Sequence, residues 1–459
     1  MRLPRIATRK AARSACAVAI FAAIGLFTLS NSSASTFVAA SEAETGTVAG
    51  AATKKADAAA SDGQSVMFDH KNRPIKGLWS YPPAYRDTSN KLWPGLVAAN
   101  KAQMTTLVPG QDRIDGVMLL LYWSVLEPQP GVYRWDIIDE AVNYWRAKGK
   151  RVALNPANYG PPVQFGPELG GQVENGLPEW LRSQIQTLPA YHEEPLGAIG
   201  GPTYPVYTPV PWDPVFKAKY TGFIKQLADR YDGNPGIAYV RIGTGHIGEE
   251  TYPYFCGAAS KRPPELCQAA VAAGWTPRKW YDSTLWMATA YRNNFVRTDL
   301  SLNLGLTGFF YNAQLPDFQH KAEAKRLVDY CVANDIMLGN NGLREASLAQ
   351  IRDGQAQNSA IGHLLKELSD SGHPVEYEAF APLDNEQMAN TTAIAQAIQL
   401  TRPQYLNMFG TMYAAEDYLL GDRSPAALNS WNRLTLKLGP DGAKERAEAW
   451  SRLLAPYEL

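Results

Sequence analysis

The chain has 459 residues, of which 45% are hydrophobic and 11% aromatic, which is enough for one large α/β domain or two ordinary domains. Lysine plus arginine and aspartate plus glutamate both number 44, so the formal net charge is zero. Nothing in this charge balance argues for a nucleic acid or an anionic membrane surface as a partner.

The N-terminus has the pattern of a secretory signal peptide. Basic residues precede the first acidic one, an apolar stretch runs from Ala15 to Leu29, and small residues follow, with cleavage possible after Ala34 or Ala40. The stretch is short for a membrane span, which needs about 20 residues, and has the length of a signal-peptide core. We predict a signal peptide over residues 1–40, with an uncleaved anchor as the alternative. The mature protein is then periplasmic or extracellular, without a membrane partner.

The segment after the signal differs in composition from the rest of the chain. Residues 41–64 are rich in alanine, glycine, serine and threonine and lack large apolar side chains. This composition predicts a disordered linker, because such a segment cannot bury enough apolar surface to fold. The folded domain is then expected over residues 65–459.

The cysteines are consistent with an oxidising compartment. Cys256 and Cys267 flank a polar segment that contains prolines, so we expect them to form a local disulfide in an exported protein. Cys331 lies in an apolar helical pattern and is expected to be a buried free thiol. No Cys/His cluster has the spacing of a zinc site, and we predict neither a metal nor an organic cofactor.

From residue 65 the chain alternates short β-like runs with amphipathic helical patterns. Eight runs have strand character: residues 75–81, 116–123, 151–157, 237–243, 301–309, 335–340, 374–380 and 405–410. This alternation predicts a single (β/α)8 TIM barrel with long loops after strands 3 and 4. An open doubly wound sheet is the alternative, but no G-x-G-x-x-G or G-K-[ST] motif follows an early strand.

Capping residues and apolar spacing predict the helices between the strands. Asp136 is a good N-cap for a helix that Gly149 ends, and Asp213 precedes a proline at a first helical position. Apolar spacing puts Val332 on the buried face of a later helix. The last helix, over residues 425–454, is expected to be interrupted near Gly439.

Strand parity brings charged side chains into the barrel. Successive side chains of a strand point to opposite faces. In strand 7 this puts Glu376 and Glu378 inside, with Glu378 nearer the C-terminal mouth. In strand 4 it puts Arg241 inside, where a lone charge needs a partner and Glu376 is the natural one. Beyond strand 4, the glycine-rich stretch YVRIGTGHIGEE carries Glu249 and Glu250 to the same mouth.

Carboxylates from strands 4 and 7 therefore arrive at one end of the predicted barrel. Paired carboxylates are what glycoside hydrolysis requires: one protonates the departing glycosidic oxygen, and the other attacks the anomeric carbon or activates water. A separation of about 5–5.5 Å gives retention of configuration, and about 6.5–9.5 Å gives inversion.

Three segments resemble known enzymes: YWSVLEPQPGVYRWDIIDEAVNYWRAKGKRVAL (122–154), PEWL (178–181) and FIKQLADRYDGNPGIAYVRIG (223–243). They are similar to β-galactosidase-like barrel glycoside hydrolases and their relatives, over most of residues 75–410. The resemblance implies an acid/base glutamate after strand 4, here Glu249 with Glu250 as the runner-up. It also implies a nucleophile at the end of strand 7, here Glu378.

The chain departs from these families in one respect. They usually end strand 4 in Asn-Glu, whereas this chain has Gly-x-x-Gly-Glu, as do less characterised barrel proteins. The glycines let the backbone turn tightly at a substrate mouth.

Aromatic, amide and ionisable side chains near the strand ends are candidates for binding a sugar. Each has a structural alternative, because an aromatic can belong to the core, an amide can cap a loop and a histidine or glutamate can lie in a solvated loop. The candidates are Trp79, Tyr81, Trp123, Asn155, Asn158, Tyr159, His246, Glu250, Asn340 and Tyr413.

The sequence thus predicts an exported glycoside hydrolase that acts on an oligo- or polysaccharide by a retaining two-glutamate mechanism. A non-catalytic carbohydrate-binding barrel, which kept the cleft and lost the acid, is the alternative, and the missing Asn-Glu supports it. A barrel enzyme of another hydrolytic class is a third interpretation, disfavoured by the absence of a metal motif from the sequence.

Overall fold

The computed structural model describes most of the chain from residue 114 onward and short stretches before it. The described ranges are 52–56, 64–68, 78–80, 114–160, 163–164, 173–174, 176–190, 206–243, 251, 264–304, 317–353, 360–379, 386–408, 415, 418–421, 423 and 425–454. Contacts divide the chain into two units, Met1–Arg73 and Pro74–Leu459.

The first unit contains a pair of antiparallel strands. Ala52–Ala56 pairs with Gln64–Phe68, with Ala52 opposite Phe68 and Ala56 opposite Gln64. Residues 52–56 and 64 of the predicted linker lie in this strand pair, and the boundaries of the linker and of the folded domain stay predictions. The second strand, QSVMF, contains methionine and phenylalanine, which are absent from residues 41–64, and aromatic and β-branched residues favour a pleated surface. The second unit begins at Pro74, nine positions after the predicted residue 65.

The second unit is a closed parallel barrel of eight strands. Its strands are β1 (Leu78–Ser80), β2 (Gly116–Tyr122), β3 (Arg151–Ala157), β4 (Ile237–Arg241), β5 (Asp299–Asn303), β6 (Ile336–Leu343), β7 (Val375–Ala379) and β8 (Tyr405–Met408). Each strand pairs with its sequence neighbours, and β8 pairs with β1 to close the barrel. All eight overlap the predicted runs, so the (β/α)8 fold class is confirmed.

Helices connect these strands and pack around them. The longer ones are α1 (Trp135–Arg146), α2 (Pro214–Tyr231), α3 (Pro277–Asn294), α4 (Asp317–Ala333), α5 (Ala360–Asp370), α6 (Thr391–Thr401) and α7 (Pro425–Leu454). Shorter helices are Trp123–Leu126, Glu179–Arg182, Pro264–Ala272, Ser347–Asp353 and a 3-10 turn at Glu386–Met388. No helix in the described ranges is both long and apolar enough to span a bilayer.

The long connection between β3 and β4 contains small sheets of its own. Val163–Gln164 pairs with Val173–Glu174, and Thr187–Ala190 pairs with Val206–Pro209, both antiparallel. The connection between β4 and β5 contains Pro264–Ala272 and α3. The prediction of long loops after strands 3 and 4 is therefore confirmed.

The helix boundaries agree with the predictions at some positions and not at others. Asp213 is the N-cap of α2, and α7 has non-helical backbone at Gly439, where φ is 73°. Asp136, predicted as an N-cap, lies instead in the first turn of α1, beside Arg134 at the cap position. A carboxylate there still favours the helix, because it faces the positive end of the dipole. Val332 is 38% exposed and does not belong to the buried face of α4.

Two cysteines fall among the described side chains. Cys331 is a buried free thiol on α4, as predicted. Burial raises its pKa well above the usual value for a thiol, because the thiolate would lose its hydration. Cys267 is disulfide-bonded. Its expected partner, Cys256, lies outside the described residues, so that pairing stays a prediction.

Candidate active site

A buried ionic cluster from β4 and β7 occupies the barrel interior. Arg241 Nη2 lies 3.0 Å from Glu376 Oε1, and Arg241 Nη1 donates to Glu378 Oε2 at 2.8 Å. The side chains of these residues are 0%, 1% and 9% exposed, respectively. The inward positions that strand parity predicted for all three are confirmed, as is the contact between Arg241 and Glu376. Glu378 is the most exposed of the three.

Glu376 is fixed by the neighbouring strands as well as by Arg241. Ser301 Oγ on β5 donates to Glu376 Oε1 at 2.7 Å. Gly339 on β6 lies beside it, and a Cβ at that position would be 2.4 Å from Glu376 Cγ, far inside van der Waals contact. A glycine at 339 therefore makes room for a carboxylate that could not otherwise pack inside the barrel.

Polar and aromatic side chains surround this cluster inside the barrel. The rings of Tyr239 and Tyr405 stack with centroids 4.5 Å apart, and Asn407 Nδ2 donates to the Tyr239 hydroxyl at 3.1 Å. Burial, followed by the nearby Glu376 carboxylate, raises the pKa of Tyr239 well above its usual value. Tyr239 is therefore a neutral phenol at physiological pH and adds no charge to the cluster.

The charges of the cluster determine what it can do. One guanidinium faces two carboxylates, so the fully ionised group carries one net negative charge. Glu376 accepts from Ser301 and lies beside Gly339, whereas Glu378 is two residues nearer the C-terminal end of β7 and is more exposed. Arg241 orients that carboxylate through a charge-assisted hydrogen bond, which is stronger and more directional than a neutral one. Such a group can attack an electrophilic carbon or activate water.

Two other predicted site residues have structural contacts. Trp123 is fully buried, its Nε1 donates to Glu127 Oε2 at 2.7 Å, and its ring packs among aromatics of the helix layer such as Phe223. No face of Trp123 is available to a sugar, so the core interpretation is correct. Asn340 Oδ1 accepts from the Gly342 amide at 2.8 Å, inside β6 where its pairing with β7 shifts register between Asn340 and Leu343.

Three predicted residues at the end of β3 have different surroundings. Asn155 is fully buried. It points to the same face of β3 as Ala153, which pairs with the inward-facing Tyr239 of β4, so Asn155 points into the barrel. Asn158 is buried outside the strand and donates from Nδ2 to the Gly243 carbonyl at 3.1 Å. Tyr159 is also buried and lines a small cavity beside Asn158. Of the three, Asn155 alone lies on the inner face of the barrel.

The remaining predicted residues are not described in full. Trp79 is described only in its backbone, where it is opposite Asn407 in the register of β1 and β8. Those that lie outside the described residues are Tyr81, His246, Glu249, Glu250 and Tyr413.

Sequence reasoning missed three residues of the cluster's surroundings. Ser301, Gly339 and Asn407 lie at inward positions of β5, β6 and β8 and contact either Glu376 or Tyr239. The alternation that located Arg241 and Glu376 could have found them, because a serine, a glycine or an asparagine in an otherwise apolar strand marks a polar interior. Among the described residues, no group of three or more acidic, histidine or cysteine side chains could hold a metal ion.

Part of this chain is similar in sequence to carbohydrate-active enzymes. Residues 117–270 match the model of a family described as Beta-galactosidase. A β-galactosidase of Thermus thermophilus is 24% identical over 135 residues, which are 29% of this chain and 18% of that protein. The chain thus spans about a fifth of the length of the curated relative it matches. The resemblance to β-galactosidase-like barrel families is confirmed over the matched segment.

Solved structures with a related shape are more distant. The catalytic domain of a β-amylase from Paenibacillus polymyxa has a TM-score of 0.45 at 13% identity, covering 67% of this chain and 87% of that one. A β-galactosidase from the psychrophilic Marinomonas ef1 has a TM-score of 0.39 at 12% identity, covering 80% and 61%, respectively. The fold assignment rests on the strand topology of the chain itself.

Proposed function

We propose that this chain is an exported glycoside hydrolase that cleaves O-glycosidic bonds of an oligo- or polysaccharide with retention of configuration. The observation that carries the proposal is Glu378: its carboxylate lies at the C-terminal end of β7, where the chemistry of such barrels occurs. Arg241 holds it in one orientation at 2.8 Å. The family match over residues 117–270 supports the same class of reaction.

The mechanism assigns different roles to two glutamates. Glu378 attacks the anomeric carbon and forms a covalent glycosyl ester while Glu249 gives its proton to the departing oxygen. Glu249 then removes a proton from water, which attacks the same carbon and releases Glu378 as a carboxylate. Arg241 keeps Glu378 oriented in both steps. Glu250 is the alternative acid/base.

The proposed substrate follows from a relative and the proposed compartment from the N-terminal sequence. The Thermus thermophilus relative is named a β-galactosidase, so β-galactosides are the first substrates to test. Export rests on the signal-peptide pattern of residues 1–40. Mature protein recovered outside the cytoplasm with an N-terminus after Ala34 or Ala40 is the expected outcome.

A carbohydrate-binding barrel without catalysis is the second candidate. Two observations favour it: strand 4 ends in Gly-x-x-Gly-Glu in place of Asn-Glu, and Glu378 already serves as a counter-ion to Arg241. Such a protein binds an oligosaccharide measurably and releases no product from it. Calorimetric binding in the absence of turnover, across a panel of aryl glycosides, would establish this alternative.

The nucleophile is tested by Glu378→Gln, which removes the attacking charge at nearly constant volume. We expect kcat to fall by at least about 1000-fold with folding intact by circular dichroism. Tyr377→Phe, on the same strand but facing the helices, is the control and should keep most of the activity. Full activity in Glu378→Gln would refute the two-glutamate mechanism. Retention is checked by observing the anomer first formed by proton NMR.

The acid/base is tested by Glu249→Gln and Glu250→Gln on substrates whose leaving groups differ. Loss of the acid should slow substrates with poor leaving groups most, because an activated leaving group needs little protonation. Azide should partly rescue Glu249→Ala, since a small anion replaces the base-activated water. If Glu250→Gln shows this dependence and Glu249→Gln does not, the acid/base is Glu250.

A further inference from the structure

The guanidinium of Arg241 divides its two terminal nitrogens between two carboxylates of β7. Nη1 donates to Glu378 Oε2 at 2.8 Å, and Nη2 lies 3.0 Å from Glu376 Oε1. An arginine that meets a single carboxylate commonly forms a fork, in which two parallel bonds engage both oxygens. In this cluster the two nitrogens are directed to different carboxylates, so the fork is shared between Glu376 and Glu378.

The neighbouring strands β5 and β6 fix Glu376 in this arrangement. Ser301 Oγ on β5 donates to the same oxygen, Oε1, at 2.7 Å. On β6, a Cβ at Gly339 would lie 2.7 Å from that oxygen, so the backbone there limits its movement. The other oxygen, Oε2, is buried and accepts no hydrogen bond from a described residue. Ser301 therefore determines which oxygen of Glu376 is turned toward Arg241.

The shared fork decides how Glu378 is presented at the end of β7. Without the Glu376 charge, both sides of the guanidinium could turn to Glu378 and engage both of its oxygens, as in a bidentate pair. With Glu376 in place, the hydrogen bond from Arg241 goes to Glu378 Oε2. Oε1 is then the oxygen that we assign to the attack on the anomeric carbon.

We propose that Ser301 and Glu376 are positioning residues that act through Arg241, so that Glu378 is held by one oxygen and attacks with the other. The inference rests on the proposed function for its catalytic consequence. Ser301 and Glu376 are 0% and 1% exposed, so they act on the reaction through Arg241 and not by contact with a sugar. A misplacement of about 1 Å in a catalytic group can cost about 100-fold in rate.

Two substitutions test the two links of this arrangement. Ser301→Ala removes the hydroxyl that holds Glu376 and leaves every charge in place. Glu376→Gln removes one carboxylate charge at nearly constant size, so Arg241 can turn both of its nitrogens to Glu378. The second variant leaves one cation and one carboxylate paired inside the barrel, which avoids an uncompensated buried charge. Each variant keeps the test valid if the other folds poorly.

Ser283→Ala is the matched control. Ser283 is 1% exposed, and its hydroxyl donates at 2.8 Å to the Lys279 carbonyl, within its own helix α3. The substitution therefore removes the same atom from an equally enclosed serine, but the lost bond belongs to a helix and not to the ionic cluster. The position of Glu378 and the activity should both stay unchanged in this variant.

The first measurement is structural and needs no substrate. Crystal structures of the mature protein and of each variant give the distances from the Arg241 nitrogens to both oxygens of Glu378. In Glu376→Gln we expect both oxygens to accept from Arg241. In Ser301→Ala we expect the Glu378 carboxylate to shift by about 0.5 Å or more, the tolerance within which catalytic groups must be held.

The second measurement counts active sites and times the attack. A dinitrophenyl 2-deoxy-2-fluoro glycoside of the sugar that the wild type hydrolyses releases about one dinitrophenolate per active site, because its glycosyl ester turns over slowly. In both variants the rate of this burst should fall by about 10-fold or more, with its amplitude unchanged. The value of kcat/KM should fall alike for activated and poor leaving groups, because the attack is impaired and not the protonation.

Wild-type positions of the Glu378 oxygens in both variants overturn the inference. A burst of reduced amplitude and normal rate also overturns it, because that result indicates a misfolded fraction and not a misplaced nucleophile. If Glu378→Gln keeps full activity, the nucleophile of the proposed function fails and the catalytic role of Ser301 and Glu376 fails with it. The two failures are distinguishable, because the crystal structures report the position of Glu378 without catalysis.

Discussion

At the scale of single residues, the buried ionic cluster depends on Arg241. Arg241 has contacts with both Glu376 and Glu378, and all three side chains are almost fully enclosed. Removing one partner of a buried ion pair costs about 3–5 kcal/mol, because the other charge is left uncompensated. The cluster is therefore sensitive to any change that displaces one of its members, including an uncharged one.

Gly339→Ala makes such a displacement with no change of charge. The new Cβ would lie 2.4 Å from Glu376 Cγ, so the glutamate must shift away from Ser301 and Arg241. We expect the free energy of unfolding in urea to fall by at least about 2 kcal/mol, within the range for overpacked cores. Gly222→Ala in α2 is the control, because no atom lies within 4 Å of its Cβ position. It should stabilise by about 0.5–1 kcal/mol through helix propensity. Equal effects of the two substitutions would contradict this account of Gly339.

At the scale of elements, the start of α2 is defined by one side chain. Asp213 Oδ1 accepts from the amides of Val215 and Phe216 at 2.8 and 2.9 Å, and Oδ2 accepts from the Gln186 amide at 3.0 Å. This carboxylate therefore caps the helix and also ties it to the preceding connection. The N-cap of α3, Thr276, accepts a single bond from Lys279.

Asp213→Ala should lower the free energy of unfolding by about 1–2 kcal/mol, the range for loss of a strong N-cap. Thr276→Ala loses one bond in place of three and should cost less, about 0.5–1 kcal/mol. Thermal and urea unfolding of the two variants provide the comparison. A larger loss of stability in Thr276→Ala than in Asp213→Ala would contradict the expectation that three bonds stabilise more than one.

The strands and their register were the most predictable elements. β3 matches its predicted run residue for residue, because an apolar stretch there is bounded by a basic turn and an asparagine. Strand parity then located Arg241 and Glu376 correctly, since a period of two fixes the face of every residue in a strand. The site is thus predictable where it consists of strand residues.

Residues next to the strands were harder to predict. Trp123 directly follows β2 and could have faced the mouth, but a helical turn over Trp123–Leu126 directs it among the aromatics of the helix layer. Asn158 directly follows β3 and Asn340 lies inside β6, and sequence does not distinguish an amide that binds backbone from one that faces a ligand. Their contacts depend on distant residues, as with Gly243 for Asn158, and such contacts leave no local pattern.

At the scale of the whole molecule, the number of free thiols tests both the predicted export and the predicted Cys256–Cys267 disulfide. After removal of residues 1–40, thiol titration of the denatured protein should find one reactive cysteine, Cys331. In Cys256→Ser the released Cys267 should raise the count to two. Three thiols in the wild-type protein would exclude the disulfide, and a count of zero in Cys256→Ser would show that Cys267 pairs with Cys331 and would exclude Cys256 as the partner.

The ionic cluster also constrains the order in which the chain can fold. Arg241 and Glu378 are 137 positions apart, and the strands between them must be in place before the two side chains meet. A nascent chain that ends before β7 has an arginine directed to the barrel interior with neither carboxylate partner. Such a partial barrel has to leave Arg241 in contact with water, because a buried cation without a partner is costly. The barrel can therefore enclose this arginine only once β7 has joined the sheet.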